Sequence, residues 1–250
     1  ISRGWVYQAN LCRVLTAQLA TPIDLEALHE QLKLNNPAPH AGYLRVPEHN
    51  IEIASASPEL FLSRQTNLLK SSPIKGTAKT AAELLDKDSA ENIMIVDLVR
   101  NDLSHACLNG SVAVEHLLRL EEHPGLVHLV SDVSGRVADD ASWAEILTAT
   151  SPPGSVSGAP KSSALESIAR LEKAPRSYYC GAFGWIDADR NVASLAVAIR
   201  TFWQERNARG AAVHFGTGAG ITWESEPQGE WLETELKAHR LLNIAAGVVG

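Results

Sequence analysis

The sequence lacks the cysteine pattern of a disulfide-stapled or zinc-binding protein. Its three cysteines, Cys12, Cys107 and Cys180, lie far apart and form no Cys-x-x-Cys pair, so neither a disulfide framework nor a zinc site is indicated. It also lacks any apolar run close to the ~20 residues that a membrane-spanning helix needs, and its first residues do not resemble a signal peptide. We therefore predict a protein of the reducing cytoplasm that does not act on a membrane.

Positive charge is also scarce. The 22 Lys and Arg residues are outnumbered by 29 Asp and Glu residues, which gives a formal net charge of -7 over 250 residues. Binding to nucleic-acid phosphates or anionic lipid requires a basic excess, so neither partner is expected. Hydrophobic residues make up 45% of the chain, which is typical of a globular protein with one large domain or two small ones.

Hydrophobic periodicity predicts a mixture of helices and strands. Helical spacing occurs at 24–34, at 89–104, from Pro160 onward, and from Pro227 to about Ala245. Alternation or short apolar runs predict strands at 51–53, 60–62, 111–118, 126–137, 181–187, 192–203 and 211–217. Because the strands follow one another in runs rather than alternating with helices, we predict an α+β fold with largely antiparallel sheets.

One carboxylate falls on an otherwise apolar helix face. At about 100° per residue, Met94, Ile95 and Leu98 form one face of the helix predicted at 89–104, and Glu91 lies in the middle of it. An ionised carboxylate on an inward face is costly unless a cation or hydrogen-bond donors compensate it. Glu91 is therefore either a partly buried acid near the helix amino terminus, favoured by the helix dipole, or a ligand of a cation.

The last predicted helix carries a second acidic group. Glu230, Glu233 and Lys237 lie within about 60° of arc, and Leu241 and Ile244 continue the same stripe. The stripe is either a solvated face with one i, i+4 ion pair, or part of an oxygen-ligand set that includes the carboxylate of the earlier helix. Such a set suits a hard divalent cation, and Mg²⁺ is the natural candidate.

Further segments could bind an anion or take part in catalysis, and each also has a structural interpretation. The glycine-rich segment 216–220 forms either a turn or an approach for an anion to backbone N–H groups. Segment 155–161 opens a helix, either as a cap or as an anion site. Lys75 follows an apolar strand in a tight turn, as a surface lysine would, and His128 lies in an alternating strand, as a core histidine would.

Taken together and in this order, the segments resemble the chorismate-utilising enzymes, the family of anthranilate, aminodeoxychorismate, isochorismate and salicylate synthases. The resemblance covers nearly the whole chain, with collinear motifs at 7–11, 57–59, 73–77, 96–102, 127–131, 157–161, 199–201, 218–221 and 230–234. It implies that residues 1–250 form one chorismate-binding catalytic domain, an α/β sandwich of two packed, largely antiparallel sheets flanked by helices. The amino-terminal portion of the family fold is expected to be missing, in agreement with a start at Ile1.

The resemblance also implies a set of functional residues. The metal would be Mg²⁺ held by Glu91, Glu230 and Glu233, with Asp88 as an outer-shell partner. The catalytic positions would be Glu59 as general acid, Lys75 as nucleophile, Gln8, and His128 beside the substrate ring. The substrate-binding positions would be Thr77, Ser155, Tyr179, Arg200, Gly218, Ala219, Gly220 and Lys237.

Two positions separate the chemistries within the family. Members that use water resemble one another in having a basic lysine where this chain has Gln8, and anthranilate synthases typically have alanine where it has Lys75. The resemblance is therefore closest to aminodeoxychorismate synthase component I, which aminates chorismate at C4 on the way to p-aminobenzoate and folate. Ammonia would come from a separate glutamine amidotransferase subunit. The alternatives are anthranilate synthase component I and a non-catalytic remnant that binds the glutaminase.

Overall fold

A computed structural model describes residues 1–78, 80–123 and 126–248, and the side chains of Thr77, His123 and Leu126 are outside that description. The described residues form five α-helices: α1 (Leu25–Asn35), α2 (Asp86–Ala106), α3 (Trp143–Thr150), α4 (Lys161–Leu171) and α5 (Pro227–Ala245). In these ranges, no helix is long and apolar enough to cross a membrane.

The strands form two antiparallel sheets, which confirms the predicted α+β class. In chain order they are β1 (Gln8–Leu19), β2 (His40–Val46), β3 (Ile51–Ser57), β4 (Leu60–Gln65), β5 (Leu68–Ser72), β6 (Ile74–Ala78), β7 (Ala113–His123), β8 (Leu126–Arg136), β9 (Gly158–Ala159), β10 (Ala182–Asp187), β11 (Val192–Val197), β12 (Thr201–Asn207) and β13 (Gly210–Ile221).

The chain divides into two compact units. The first unit comprises Ile1–Pro58, Val156–Ala182 and Val197–Gly250, and the second comprises Glu59–Ser155 and Phe183–Ala196. The sheet of the first unit has the strand order β2-β3-β12-β13-β1-β9. The sheet of the second unit has the order β10-β11-β4-β5-β8-β6, and β7 also pairs with β8.

The core of the first unit forms where α1 and α5 cover apolar side chains of the sheet. The predicted stripe Leu25, Leu28 and Leu32 is buried, together with Leu241 and Ile244 of α5. Helix α1 begins after Asp24, whose carboxylate accepts the backbone N–H groups of Glu26 and Ala27, each at 3.0 Å. These N–H groups have no partner inside the helix, so the carboxylate caps its amino terminus. The periodicity of both helices therefore predicted their packing correctly.

Helix α2 packs on β6 and β8 of the second unit, but its buried face differs from the predicted one. Met94 and Leu98 are only partly buried, and Glu91 lies at the edge of the packed face rather than in its middle. The helix begins at Asp86, so Glu91 is in its second turn and the helix-dipole interpretation loses its basis. The buried positions are Asn92, Ile95, Val96, Val99, Asp102 and Leu103.

The apolar segment predicted as one strand at 192–203 is two strands in two different sheets. β11 pairs with β4 in the second unit, and β12 pairs with β3 and β13 in the first. The break falls at Arg200, whose φ of 51° is left-handed. A residue in that conformation cannot continue an extended strand, and hydrophobicity carries no signal of it.

Candidate functional site

Lys75 lies in strand β6, and not in the tight turn that the sequence suggested. The pairing of β6 with β8 shifts register between Ile74 and Thr77, so Lys75 and Gly76 form a bulge. Gly76 has a φ of 82°, and a Cβ added there would lie 2.8 Å from the Cβ of Asp88. Bulges re-aim side chains next to a regular ladder, so the glycine permits the backbone course that presents Lys75.

Asn92 anchors this bulge, and the sequence analysis did not identify it. Its side chain is fully buried, and its Nδ2 donates to the carbonyl of Leu129 at 2.9 Å and to that of Lys75 at 3.5 Å. The Ser131 hydroxyl donates to its Oδ1 at 2.5 Å. Asn92 thus ties the helix of the half-buried Glu91 to the strand of Lys75. The sequence signal that could have identified Asn92 is its amide side chain three positions before Ile95, on the buried face of the helix.

Three further predicted residues of the second unit are buried: His128, Glu59 and Ser155. His128 lies in β8 opposite Thr77, whose side chain is outside the described structure. Glu59 is 5% exposed and follows β3, and Ser155 is 7% exposed in the short helical turn Gly154–Val156. The core interpretation of His128 agrees with its burial, and the burial of Glu59 is the property that a general acid requires.

The glycines at 216, 218 and 220 belong to strand β13, so the turn predicted for them is wrong. β13 pairs with β1 up to Ile221, whereas its pairing with β12 ends at Phe215. Among the described strand pairs, the stretch 216–221 therefore has a strand on one edge only. Backbone groups on the other edge can serve a ligand, as the anion interpretation requires.

Three side chains fill the space that the alternating glycines leave. A Cβ added at positions 216, 218 and 220 would lie 2.1 Å from Cγ of Tyr179, 2.6 Å from Sγ of Cys12 and 2.3 Å from Nε2 of Gln8, respectively. Residues two apart in a strand share a face, so one face of β13 receives all three side chains. The structure thus brings two predicted site residues, Gln8 and Tyr179, onto the glycine motif.

Gln8 combines complete burial with unpartnered polar atoms. It is 0% exposed, and within the described residues its Nε2 and Oε1 have no hydrogen-bond partner, nor does Nδ2 of the buried Asn10. Buried amides without partners are rare in native proteins and indicate a water or a ligand. A neutral amide cannot take a proton from water, so this position suits ligand contact rather than base catalysis.

The acidic stripe of α5 is solvent-facing at its amino-terminal end. Glu233 and Lys237 form an i, i+4 ion pair, as the solvated-face interpretation expected. Lys237 also donates to the carbonyl of Gly218 at 3.3 Å, and Glu230 accepts from the Ser225 hydroxyl at 2.5 Å. The stripe becomes buried only further along the helix, where it contributes to the core of the first unit.

No three or more His, Cys, Asp or Glu side chains in the described ranges are grouped to hold a metal ion. Glu91 and Glu230 are half-buried and Glu233 is exposed. Three carboxylates nevertheless have the hard oxygen chemistry that Mg²⁺ prefers, so the donor types fit the ion, and the Mg²⁺ site stays a prediction. The carboxylate of Asp88 accepts the Leu85 N–H at 2.8 Å, so it caps α2.

Tyr179 and Arg200 are the remaining predicted substrate contacts. Burial raises the pKa of Tyr179 well above its ordinary value, so its hydroxyl stays protonated and can donate. Arg200 is half-buried at the start of β12, where its carbonyl accepts the Ala56 N–H at 3.0 Å. Arg200 immediately precedes β12, the strand whose pairing with β13 ends at Phe215. It belongs to the same unit as Lys237 and Gly218–Gly220.

Comparison with known proteins places these features in context. Residues 1–243 match the family described as chorismate binding enzyme. Anthranilate synthase component 1 of Saccharolobus solfataricus is 36% identical, with 99% of this chain and 59% of that protein aligned. Aminodeoxychorismate synthase component 1 of Bacillus subtilis is 34% identical, with 95% and 51% aligned.

A solved structure gives the same result. The crystal structure of anthranilate synthase component I from Streptococcus pneumoniae superposes with a TM-score of 0.83 at 30% identity, covering 96% of this chain and 54% of that one. The chain thus spans about half the length of the relatives it matches. The identities to the two kinds of synthase are similar, so they do not separate the two reactions.

Proposed function

The chain belongs to the chorismate-binding enzyme family, and we propose that it aminates chorismate at C4 to form 4-amino-4-deoxychorismate. The observation that carries this proposal is Lys75, presented by the bulge at Gly76 and anchored by Asn92. A lysine at this point can act as a nucleophile. Gln8 supports it from the first unit, because an amide in that position cannot activate water.

In the proposed reaction, Lys75 splits one substitution into two. Its neutral amine attacks C2 of the ring, the two conjugated double bonds shift, the C4–oxygen bond breaks, and the attached nitrogen loses a proton. Glu59 gives its proton to the departing hydroxyl, which leaves as water. Ammonia then adds at C4 and loses a proton, the two double bonds shift back, and the lysine nitrogen takes up a proton and leaves C2, so the net change is replacement of hydroxyl by amino.

Burial of Glu59 supports its assignment as the acid. A general acid must keep its proton until the hydroxyl departs, and removal from water disfavours a charged carboxylate. The amine of Lys75 must lose its proton before it attacks. His128, buried in the neighbouring strand, is proposed to contact the ring.

The substrate is a dianion, so its carboxylates need cations or oriented donors. We assign this role to Arg200, Lys237, the Tyr179 hydroxyl and the free backbone edge at 218–220, with Thr77 and Ser155 as further contacts. Glu91, Glu230 and Glu233 would hold Mg²⁺, whose charge would offset that of a substrate carboxylate. The net charge of -7 is therefore compatible with an anionic substrate. The proposed ammonia source is a glutaminase subunit, and the proposed location is the cytoplasm.

Amination at C2 with release of pyruvate, the anthranilate synthase reaction, is the second candidate. Its support is the 36% identity to such an enzyme. The lysine argues against it, because attack at C2 by Lys75 would occupy the carbon that must receive nitrogen. A protein that binds the glutaminase without catalysis is a third candidate, and it would give neither product.

The deciding experiment is incubation with chorismate, ammonium and Mg²⁺, followed by mass spectrometry of the products. We expect aminodeoxychorismate, which yields p-aminobenzoate only after a lyase is added. Fluorescent anthranilate formed without a lyase would favour the second candidate. Lys75→Ala should abolish amination, whereas Lys87→Ala, an exposed lysine near the start of α2, should not. Full activity of Lys75→Ala would refute the assigned nucleophile.

A further inference from the structure

Strand β8 has a bulged neighbour on each of its two edges. Along one edge, residues 75–76 of β6 lie opposite the single residue Leu129. Along the other, residues 117–118 of β7 lie opposite the single residue Ser131. Two residues that face one define a bulge, and a bulge redirects the side chains around it. The two bulges lie almost level, because Leu129 and Ser131 are two positions apart on the same strand.

Ser131 contacts both bulged strands from its place between them. It is fully buried, and its N–H donates to the carbonyl of Pro73, two residues before Lys75, at 3.2 Å. Its hydroxyl accepts the N–H of Leu118 at 3.0 Å and donates to Oδ1 of Asn92 at 2.5 Å. One serine thus links β6, β7 and α2, and its hydroxyl serves as donor and acceptor at once.

The Ser131 hydroxyl fixes which way the Asn92 amide points. Because Oδ1 of Asn92 accepts from that hydroxyl, Nδ2 is directed at the carbonyls of Leu129 and Lys75, at 2.9 and 3.5 Å. An amide turned the other way would set its oxygen against these two carbonyl oxygens, with no hydrogen between them. Ser131 therefore acts on the β6 bulge twice, through its own N–H and through Asn92.

Leu118 has a backbone conformation that leucine normally avoids. Its φ is 57°, in the left-handed region where the Cβ of an L-residue crowds the following carbonyl. Such strain persists where surrounding contacts compensate it, and the hydrogen bond from the Leu118 N–H to the Ser131 hydroxyl is such a contact. The β7 bulge is therefore held by the same hydroxyl that orients Asn92.

We propose that Ser131 is a positioning residue for Lys75, which it holds in place by keeping both bulges in register. It acts through Asn92 and through the backbone of β6. Successive side chains of a strand point to opposite faces, so a bulge that slips by one residue turns the side chains beside it away from their face. Loss of the Ser131 hydroxyl would let the β6 bulge slip, and the amine of Lys75 would leave its place. The inference rests on the proposed function, in which Lys75 is the nucleophile.

Chemical labelling of lysines tests the position of Lys75 without any assay of activity. The whole folded chain is treated with a trace of acetic anhydride, and peptide mass spectrometry gives the labelling rate of each lysine. Lys75 is half-buried, so we expect Ser131→Ala to raise its labelling rate several-fold. The exposed Lys87 of α2 should keep its rate. An unchanged rate at Lys75 in a folded Ser131→Ala variant would overturn the proposal.

Ser134→Ala is the matched control for that variant. Ser134 is a buried serine of the same strand, opposite Ala113 and Lys70, and therefore outside both bulges. Its substitution also removes a buried hydroxyl, so a general loosening of β8 would raise the labelling of Lys75 in both variants. We expect the rise in Ser131→Ala alone. An equal rise in Ser134→Ala would show that any loss of packing in β8 has this effect, and would refute the proposal.

Two conservative substitutions keep the test decisive if Ser131→Ala does not fold. Ser131→Cys has nearly the same size but a much weaker donor and acceptor, so Lys75 should be labelled faster than in the wild type. Ser131→Thr retains the hydroxyl and suits a strand, so the labelling rate should return to that of the wild type. A cysteine variant that behaves like the wild type would contradict the role of the hydroxyl.

Turnover assays on the same variants separate this inference from the proposed function. Displacement of the nucleophile slows the chemical step, so Ser131→Ala should lower kcat for amination by at least about 10-fold. The KM for chorismate should change by less than about two-fold, and Ser131→Thr should restore kcat. A rise in KM with an unchanged kcat would contradict the proposal. If the wild type has no turnover, the proposed function fails, and the labelling rates still confirm or refute the role of Ser131.

Discussion

At the scale of single residues, Asn92 is the buried side chain that links α2 to the backbone of β6 and β8. Its removal would take the Asn92 donor from the Leu129 carbonyl and the acceptor from the Ser131 hydroxyl, which would keep only the Leu118 N–H, at a cost of about 1–3 kcal/mol for each buried group. We therefore expect Asn92→Ala to lower the free energy of unfolding by about 2–4 kcal/mol in urea titrations. Asn101→Ala, at an exposed position of the same helix, is the matched control and should change it by less than ~0.5 kcal/mol.

Asp132 gives a second residue-scale prediction, on pH dependence. Burial by itself would raise its pKa, but the hydrogen bond from Ser72 at 2.6 Å and the charges of Lys70 and Arg119 outweigh burial and lower it. A carboxylate whose pKa is lower when folded stabilises the protein above its unfolded pKa. That contribution is lost as the pH falls from the ordinary value of 3.8 through the lower folded value.

Asp132→Asn should therefore be less stable than the wild type near neutral pH, and the two should converge in strong acid. Thermal denaturation followed from pH 7 to pH 2 measures the difference. The exposed Asp97, paired with Arg100 on α2, provides the control, because Asp97→Asn should run parallel to the wild type. A constant gap between Asp132→Asn and the wild type at every pH would contradict the electrostatic explanation.

The sequence motifs named residues that prove to be buried, but they did not predict how those residues are held in place. Gln8, Glu59 and His128 were named from motifs, and their burial agrees with roles inside a site. Asn92 was missed because a polar residue in a helix reads as exposed unless its tertiary partners are known.

At the scale of elements, strand β13 depends on its glycines for close packing. A Cβ at Gly218 would lie 2.6 Å both from the Cys12 sulfur and from the carbonyl oxygen of Leu11, which is backbone and cannot move aside. We expect Gly218→Ala to destabilise the protein by about 1–3 kcal/mol, the usual cost of overpacking. Urea denaturation monitored by tryptophan fluorescence measures it.

Gly229 is the matched contrast for that substitution. It lies in the first turn of α5, and the nearest atom to an added Cβ is 3.9 Å away, so alanine there meets only ordinary contact. Because alanine is the better helix former by up to ~1 kcal/mol, Gly229→Ala should be neutral or slightly stabilising. Equal destabilisation by both substitutions would show that packing against Cys12 and Leu11 is not what Gly218 provides.

Most helices and strands could be predicted from hydrophobic periodicity, and the errors have specific physical causes. The bounds of α1 and α5 match the prediction within a residue or two, because each has a clear stripe and a polar start. The break at Arg200 was missed, since a single left-handed residue does not disturb the hydrophobic pattern. The glycine motif was mistaken for a turn because glycine can adopt the backbone conformations of turns. A glycine at every second residue, however, fits one face of a strand.

At the scale of the whole molecule, activity should depend on a divalent cation. We expect EDTA to abolish amination of chorismate and excess Mg²⁺ to restore it, because the carboxylate donors and the dianionic substrate need a positive charge. Glu230→Gln should lower kcat/KM by about 100-fold or more. Glu235→Gln, which alters an exposed acid of the same helix that pairs with Arg13, should leave it nearly unchanged. Full turnover after exhaustive chelation would remove Mg²⁺ from the proposal.

The division into two units could not be predicted from composition. The chain passes from one unit to the other four times, and three of these crossings lie inside predicted motifs or strands: Pro58–Glu59, within a motif attributed to the site, and Ala182–Phe183 and Ala196–Val197, within apolar segments. Domain boundaries are usually recognised by flexible polar linkers, and these crossings have none. Length and composition allowed one large domain or two small ones, the family resemblance implied one, and only the contacts reveal two centres of packing.

The order in which the segments of the first unit occur along the chain affects how the protein folds during synthesis. Strand β1 pairs with β13, so Ala9 can meet Ile221 only after all the residues between them have been synthesised. The second unit takes most of its residues from one continuous stretch, Glu59–Ser155. Contacts between distant segments form slowly because long loops must close first. Most of the second unit can therefore fold on the ribosome while the edge of β1 that later pairs with β13 is still unpaired. We expect a chaperone that shields that edge to raise the yield of folded protein.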